Sequence, residues 1–140
     1  MSIHTRLAAT ASAAVIAAAL ALPASAAPSI PLNSGQEPAG GEAEGHGFFS
    51  YTIDGTEFCW TLSWQGIAEP SAGHVHVAPR GVAGPVVINL DTDEVPGPDK
   101  EGCSEIDAEL AADITSDPGA FYVNLHNAAF SAGAIRGQLK

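Results

Sequence analysis

Strict alternation of apolar and polar residues restricts this chain most, because a period of two fits a half-buried strand and no helix. Gly73-His74-Val75-His76-Val77 puts Val75 and Val77 on one strand face and His74 and His76 on the other. Residues 121–126 do the same, with Phe121, Val123 and Leu125 opposite Tyr122, Asn124 and His126. Residues 134–139 repeat it, with Ile135 and Leu139 inward and Arg136 and Gln138 outward. Three strands thus carry three imidazoles, an amide and a guanidinium on faces a core does not accept. In residues 57–64, Phe58, Trp60, Leu62 and Trp64 alternate with Cys59, Thr61 and Ser63, which predicts an aromatic core face.

The remaining segments complete a β-rich pattern. Residues 29–33 read as a short first strand, expected at a sheet edge because Pro31 has no N–H for a ladder. Residues 47–53 and 57–64 flank Asp54-Gly55, a hairpin signal, and residues 86–90 form a further strand. Residues 91–104 are acidic and rich in Pro and Gly, which predicts a long surface loop tied down by Cys103. Ile106, Leu110 and Ile114 recur every fourth position, predicting one short helix over 106–114, stopped by Asp117-Pro118-Gly119. About seven short strands with one helix place the chain in the mainly β class, as an antiparallel β-sandwich of Ig-like or Greek-key type.

Not all 140 residues belong to that domain. Arg6, an apolar run over 7–22 and the small residues of Pro23-Ala24-Ser25-Ala26 have the layout of a secretory signal peptide, cut after Ala26. The run is short for a membrane span, so no membrane insertion is expected once it is removed. Residues 27–140 then form a single exported domain, secreted or held in a cell-envelope space. The full chain carries a net charge of −11 and no basic patch, which argues against nucleic acid as a partner. Its two cysteines, Cys59 and Cys103, are expected to form a disulfide in an oxidising compartment.

Several of these stretches together resemble a known family. Gly73-His74-Val75-His76, Gly84-Pro85-Val86-Val87, residues 121–126 and the closing Gly133-Ala134-Ile135-Arg136-Gly137-Gln138-Leu139 are similar, in that order, to the CHRD domain. That domain is named after chordin, a secreted antagonist of signalling proteins, and also occurs in exported bacterial proteins. The resemblance implies an extracellular β-rich binding module with no established catalysis. The family often has an acidic residue where this chain has Ala134.

The chemistry rests on the histidines. Two imidazoles on one strand face stand about 6–7 Å apart at Cα. Neutral imidazole is a common ligand for zinc or copper, and a third ring makes a usable donor set. His74, His76 and His126 are the candidate metal ligands, with Asn124, Arg136 and Gln138 as the supporting polar face. On this reading Arg136 attracts an anion or holds an acidic group. The alternative is that the same side chains hydrogen-bond one another across strands and fix register. His46, between two glycines, is a loop residue that would serve only as a fourth ligand. Four histidines after residue 26 are too few for the paired metals of a copper–zinc superoxide dismutase. No Gly-x-Ser-x-Gly elbow or placed carboxylate pair suggests hydrolysis. The function classes left open are a metal-binding module, a protein- or glycan-interaction module without metal, and, third, a metalloenzyme. The sequence leaves the oligomeric state open.

Overall fold

A computed structural model of the chain describes residues 27–90, 92 and 98–140; the expected signal segment, residues 1–26, lies outside them. Eight strands follow in chain order: β1 (Ile30–Asn33), β2 (His46–Asp54), β3 (Glu57–Gln65), β4 (Ala72–Val77), β5 (Val86–Leu90), β6 (Asp99–Glu105), β7 (Phe121–His126) and β8 (Ile135–Gln138). Among the described residues one α-helix, α1 (Ala108–Ser116), sits between β6 and β7. The strands form a single antiparallel sheet in the order β5-β4-β7-β8-β1-β2-β3-β6. The sheet curls until its edges β5 and β6 approach each other, giving a sandwich that is nearly a closed barrel. Among the described residues no helix is long and apolar enough to cross a membrane.

Alternation decides which side chains fill it. Ile30, Leu32, Phe49, Phe58, Trp60, Leu62, Trp64, Val75, Val123, Leu125 and Ile135 line the interior and are each at most 5% exposed. Phe49, Phe58 and Tyr51 stack with ring centroids 5.3–6.4 Å apart, so the aromatic face of β3 is core, as its pattern predicts. Helix α1 adds Ile114, fully buried, and Ala111. It begins after an extended Asp107 rather than at Ile106, whose N–H donates to the Thr56 carbonyl and is thereby held in the sheet connection.

Two expectations need correction. The strand count is eight because residues 99–105, expected in a loop, pair along β3 from Ser63↔Asp99 to Glu57↔Glu105. Alternating charge and glycine hid this strand. Such a composition suits an edge, where charge discourages pairing with other chains. Lys100 and Gly102 turn toward the core side: Lys100 is buried with its amine 5.9 Å from the Trp64 ring, and the Trp60 indole lies over Gly102. The first strand is not an edge either, since β1 lies between β8 and β2. Pro31 is tolerated there because the β1–β8 ladder is carried by Asn33↔Arg136 alone. Gly137 also lies so close that a Cβ would stand 2.7 Å from the Pro31 carbonyl oxygen.

Cys59 and Cys103 are direct cross-strand partners and form the disulfide, tying edge strand β6 to β3. The bridge closes a separation of 44 residues. Chain entropy for such a loop makes it worth about 4 kcal/mol, a large share of a small domain's stability. Replacing both cysteines with serine should lower the melting temperature by more than about 10 °C. An unchanged thermal transition would remove the bridge from the account of stability.

Candidate metal centre

The outer face of β4, β7 and β8 carries the second layer of the structure. Cross-strand pairing sets His74 opposite Asn124, His76 opposite Tyr122, and Asn124 opposite Arg136. His126 pairs with Ala72 and so lies diagonally beside His74. The connections before and after these strands fold over this face and bury it. Arg136 is 0% exposed, Asn124 1% and His76 7%.

The three histidines converge. Ring centroids are 4.9 Å apart for His74 and His126, 5.5 Å for His74 and His76, and 5.9 Å for His76 and His126. One ring nitrogen from each lies within 4.8 Å of the others. Backbone carbonyls fix two of the rings: His76 Nδ1 is 2.8 Å from the Gly84 oxygen, and His126 Nδ1 is 3.0 Å from the Ser131 oxygen. A carbonyl only accepts, so each Nδ1 carries the proton in the neutral ring and leaves Nε2 with a free lone pair. His76 Nε2, His126 Nε2 and His74 Nδ1 are all buried without a hydrogen-bond partner. A backbone acceptor behind the distal nitrogen is the usual means of orienting a metal-ligating imidazole.

Two of the rings, His74 and His126, are also pushed toward their neutral form. Burial lowers the His74 pKa to about 4, helped by the nearby His126 and His76. Burial also lowers that of His126, opposed by its bond to Ser131 and reinforced by His76. Neutral, unprotonated nitrogens are the form that binds a metal. His46, by contrast, is exposed at the start of β2, bonds the Glu44 carbonyl at 3.0 Å and stands outside the cluster.

Arg136 and Gln138 serve the same face in another way. Arg136 donates from Nη1 to the Val82 carbonyl at 2.7 Å and from Nη2 to the Pro79 carbonyl at 3.0 Å. Nη2 also reaches Gln138 Oε1 at 3.2 Å, while Gln138 Nε2 donates to the carbonyls of Ala78 and Gly119, each at 2.8 Å. Together they pin the connection 78–85 that supplies the Gly84 carbonyl to His76. The guanidinium carbon lies 3.3 Å from the Tyr122 ring centroid, and the His76 ring stacks on Tyr122 at 4.7 Å, only 3° from parallel. Tyr122 Oη in turn accepts the Gly84 N–H at 3.1 Å. Nη1 and Nη2 are thus engaged by backbone and Gln138, Nε is buried without a partner, and the charge acts on the Glu37 carboxylate.

One residue of this face gave no signal in the sequence. Glu37 lies in a turn-like stretch, yet it is only 7% exposed and its carboxylate sits against Gly133. A side chain at 133 would collide with it, and the backbone there has φ of 138°, which glycine alone adopts without strain. Burial raises the Glu37 pKa to about 7, with smaller downward pulls from Arg136 and Asn124. The acid expected at position 134 is replaced by Ala134, which is fully buried. No period or motif marks Glu37; an acidic residue between two turn signals looks like an exposed loop.

Two predictions follow from these contacts. Arg136→Lys cannot reproduce the fork that holds Pro79, Val82 and Gln138, so it should destabilise the protein by roughly 2–4 kcal/mol in denaturant unfolding. A carboxyl whose folded pKa is raised favours folding when protonated and loses that contribution as pH rises from 4.5 to about 7. Glu37→Gln should therefore gain stability relative to the parent across that range, measured as the difference in melting temperature against pH. A difference that stayed constant, or shrank with rising pH, would contradict the buried-carboxyl assignment.

Comparison with known proteins places the chain in a family. The family model described as CHRD domain matches residues 28–139. No curated protein and no solved structure matches the chain. With the match spanning nearly all the described residues, the chain belongs to the CHRD domain family.

Proposed function

We propose that this CHRD domain is an exported binding module that holds a transition-metal ion, zinc or copper, between His74, His76 and His126. The observation that carries the reading is the convergence of the three rings, one nitrogen of each within 4.8 Å of the others, on a face where each ring also keeps a buried nitrogen without a partner. Leaving buried polar atoms unsatisfied costs free energy, and a cation held between the rings relieves it. Register-fixing hydrogen bonds, the alternative role for these rings, engage only the far nitrogens of His76 and His126. Export is supported by the signal-like residues 1–26 and by the disulfide, which fits an oxidising compartment.

A protein- or glycan-interaction role without metal is favoured by one feature, Phe48. It is 56% exposed on the outer face of β2 beside an open groove of Ser50, Thr61, Ser63 and Glu101. Metal analysis separates the two readings. Tag-free, metal-stripped protein should bind one equivalent of zinc or copper, and His76→Ala should lose it. Equal binding by both proteins would return the histidines to a structural role.

Acid should release the metal, because a protonated nitrogen cannot coordinate. The burial that holds His74 near pH 4 moves this release below the ordinary imidazole range. Binding is expected to persist at about pH 6 and to fail as pH approaches 4, followed by equilibrium dialysis. Full retention of metal at pH 3 would argue against imidazole ligation.

A further inference from the structure

The shielding and charge of the three-histidine centre restrict which ion it takes. His74 Nδ1, His76 Nε2 and His126 Nε2 each expose less than 1 Å² to solvent, although His74 and His126 as whole residues are only partly buried. Among the described residues the cluster contains no carboxylate and no thiolate. Asn124 stands opposite His74 and is drawn toward Glu37, and its Oδ1 is also buried without a partner. Tyr122 lies flat on the far side of His76, and Arg136 lies against Tyr122 behind it. The unpartnered nitrogens are therefore shielded from water, and no described carboxylate joins them.

These properties divide the candidate ions. Zinc(II) is almost always four-coordinate, and with three protein ligands it takes a water or substrate as the fourth. Covered nitrogens leave no path for that fourth ligand unless a ring moves. A divalent ion would also bring two positive charges into a low-dielectric site without an opposing carboxylate, and the desolvation cost of a charge rises with its square. Copper(I) has a filled d shell, carries half that charge and is satisfied by two or three imidazoles without water. Copper(II) prefers tetragonal sites with more N and O donors.

We propose that the His74–His76–His126 centre is selective for copper(I) over zinc(II) and copper(II). This rests on the metal-binding reading and specifies its ion. The selectivity comes from two features of the chain: backbone acceptors at Gly84 and Ser131 that hold the His76 and His126 rings by Nδ1 and leave Nε2 free, and the absence of an acidic ligand among the described residues around them.

The test is an anaerobic competition titration of tag-free, metal-stripped protein with copper(I) and zinc(II), each buffered by a chromophoric chelator. Ascorbate keeps copper reduced without opening the disulfide. Copper(I) should bind at one equivalent, with zinc(II) weaker by at least about a hundredfold, in line with the coordination each ion requires. Zinc(II) affinity equal to or above that of copper(I) would overturn the selectivity while leaving metal binding in place. Failure of both ions to bind would overturn the metal reading itself. His126→Asn, run beside His76→Ala, guards against loss through misfolding: a variant with parental thermal unfolding and no copper(I) supports the centre. Parental copper(I) affinity in both folded variants places the metal elsewhere and contradicts the proposal.

Discussion

A guanidinium with no exposure to water, placed on the outside of a sheet, must find acceptors from whatever covers it. Arg136 finds them in the carbonyls of Pro79 and Val82 and in Gln138, and so fixes the course of the connection between β4 and β5. That connection carries Gly84, whose carbonyl oxygen orients His76 and whose N–H is held by Tyr122. The stack of His76, Tyr122 and Arg136 ties the same three strands together from outside. Without the buried guanidinium, the connection that carries the His76 acceptor loses its anchors at Pro79 and Val82. The polar layer is thus as much part of the fold as the hydrocarbon core beneath it.

The layer also sets its own chemistry. Burial that would be costly for a charged imidazole keeps His74 neutral, which prepares it for a metal. The same burial keeps Glu37 partly protonated near neutrality, so the carboxyl beside Gly133 does not act there as a full negative charge. Desolvation therefore pushes both groups toward their neutral forms, and the face holds little charge apart from Arg136.

Much of this was legible in the sequence. Period-two alternation sorted Val75 from His76 and Val123 from Asn124, because strand geometry leaves each side chain only two faces. It also sorted the aromatics of β3 into the core. Strand β6 was not legible, since its residues read Asp-Lys-Glu-Gly-Cys-Ser-Glu and an edge strand is allowed to be polar. The interior place of β1 was hidden for a related reason: a ladder reduced to one residue pair tolerates a proline that a full ladder rejects. Glu37 escaped because burial of a loop acid depends on Gly133, almost a hundred positions away in the chain. The grouping of His126 with the His-x-His strand needed β4 and β7 to be neighbours, which alternation alone does not state.

The central claim is that three imidazole nitrogens converge on one ion. X-ray absorption spectroscopy at the copper edge of the copper-loaded protein tests it without any substitution. The account predicts an inner shell of three imidazole nitrogens near 2.0 Å, within about 0.2 Å, with no sulfur and with the outer-ring scattering characteristic of histidine. An inner shell built from oxygen or sulfur, or one with fewer than three imidazoles, would contradict the three-histidine centre.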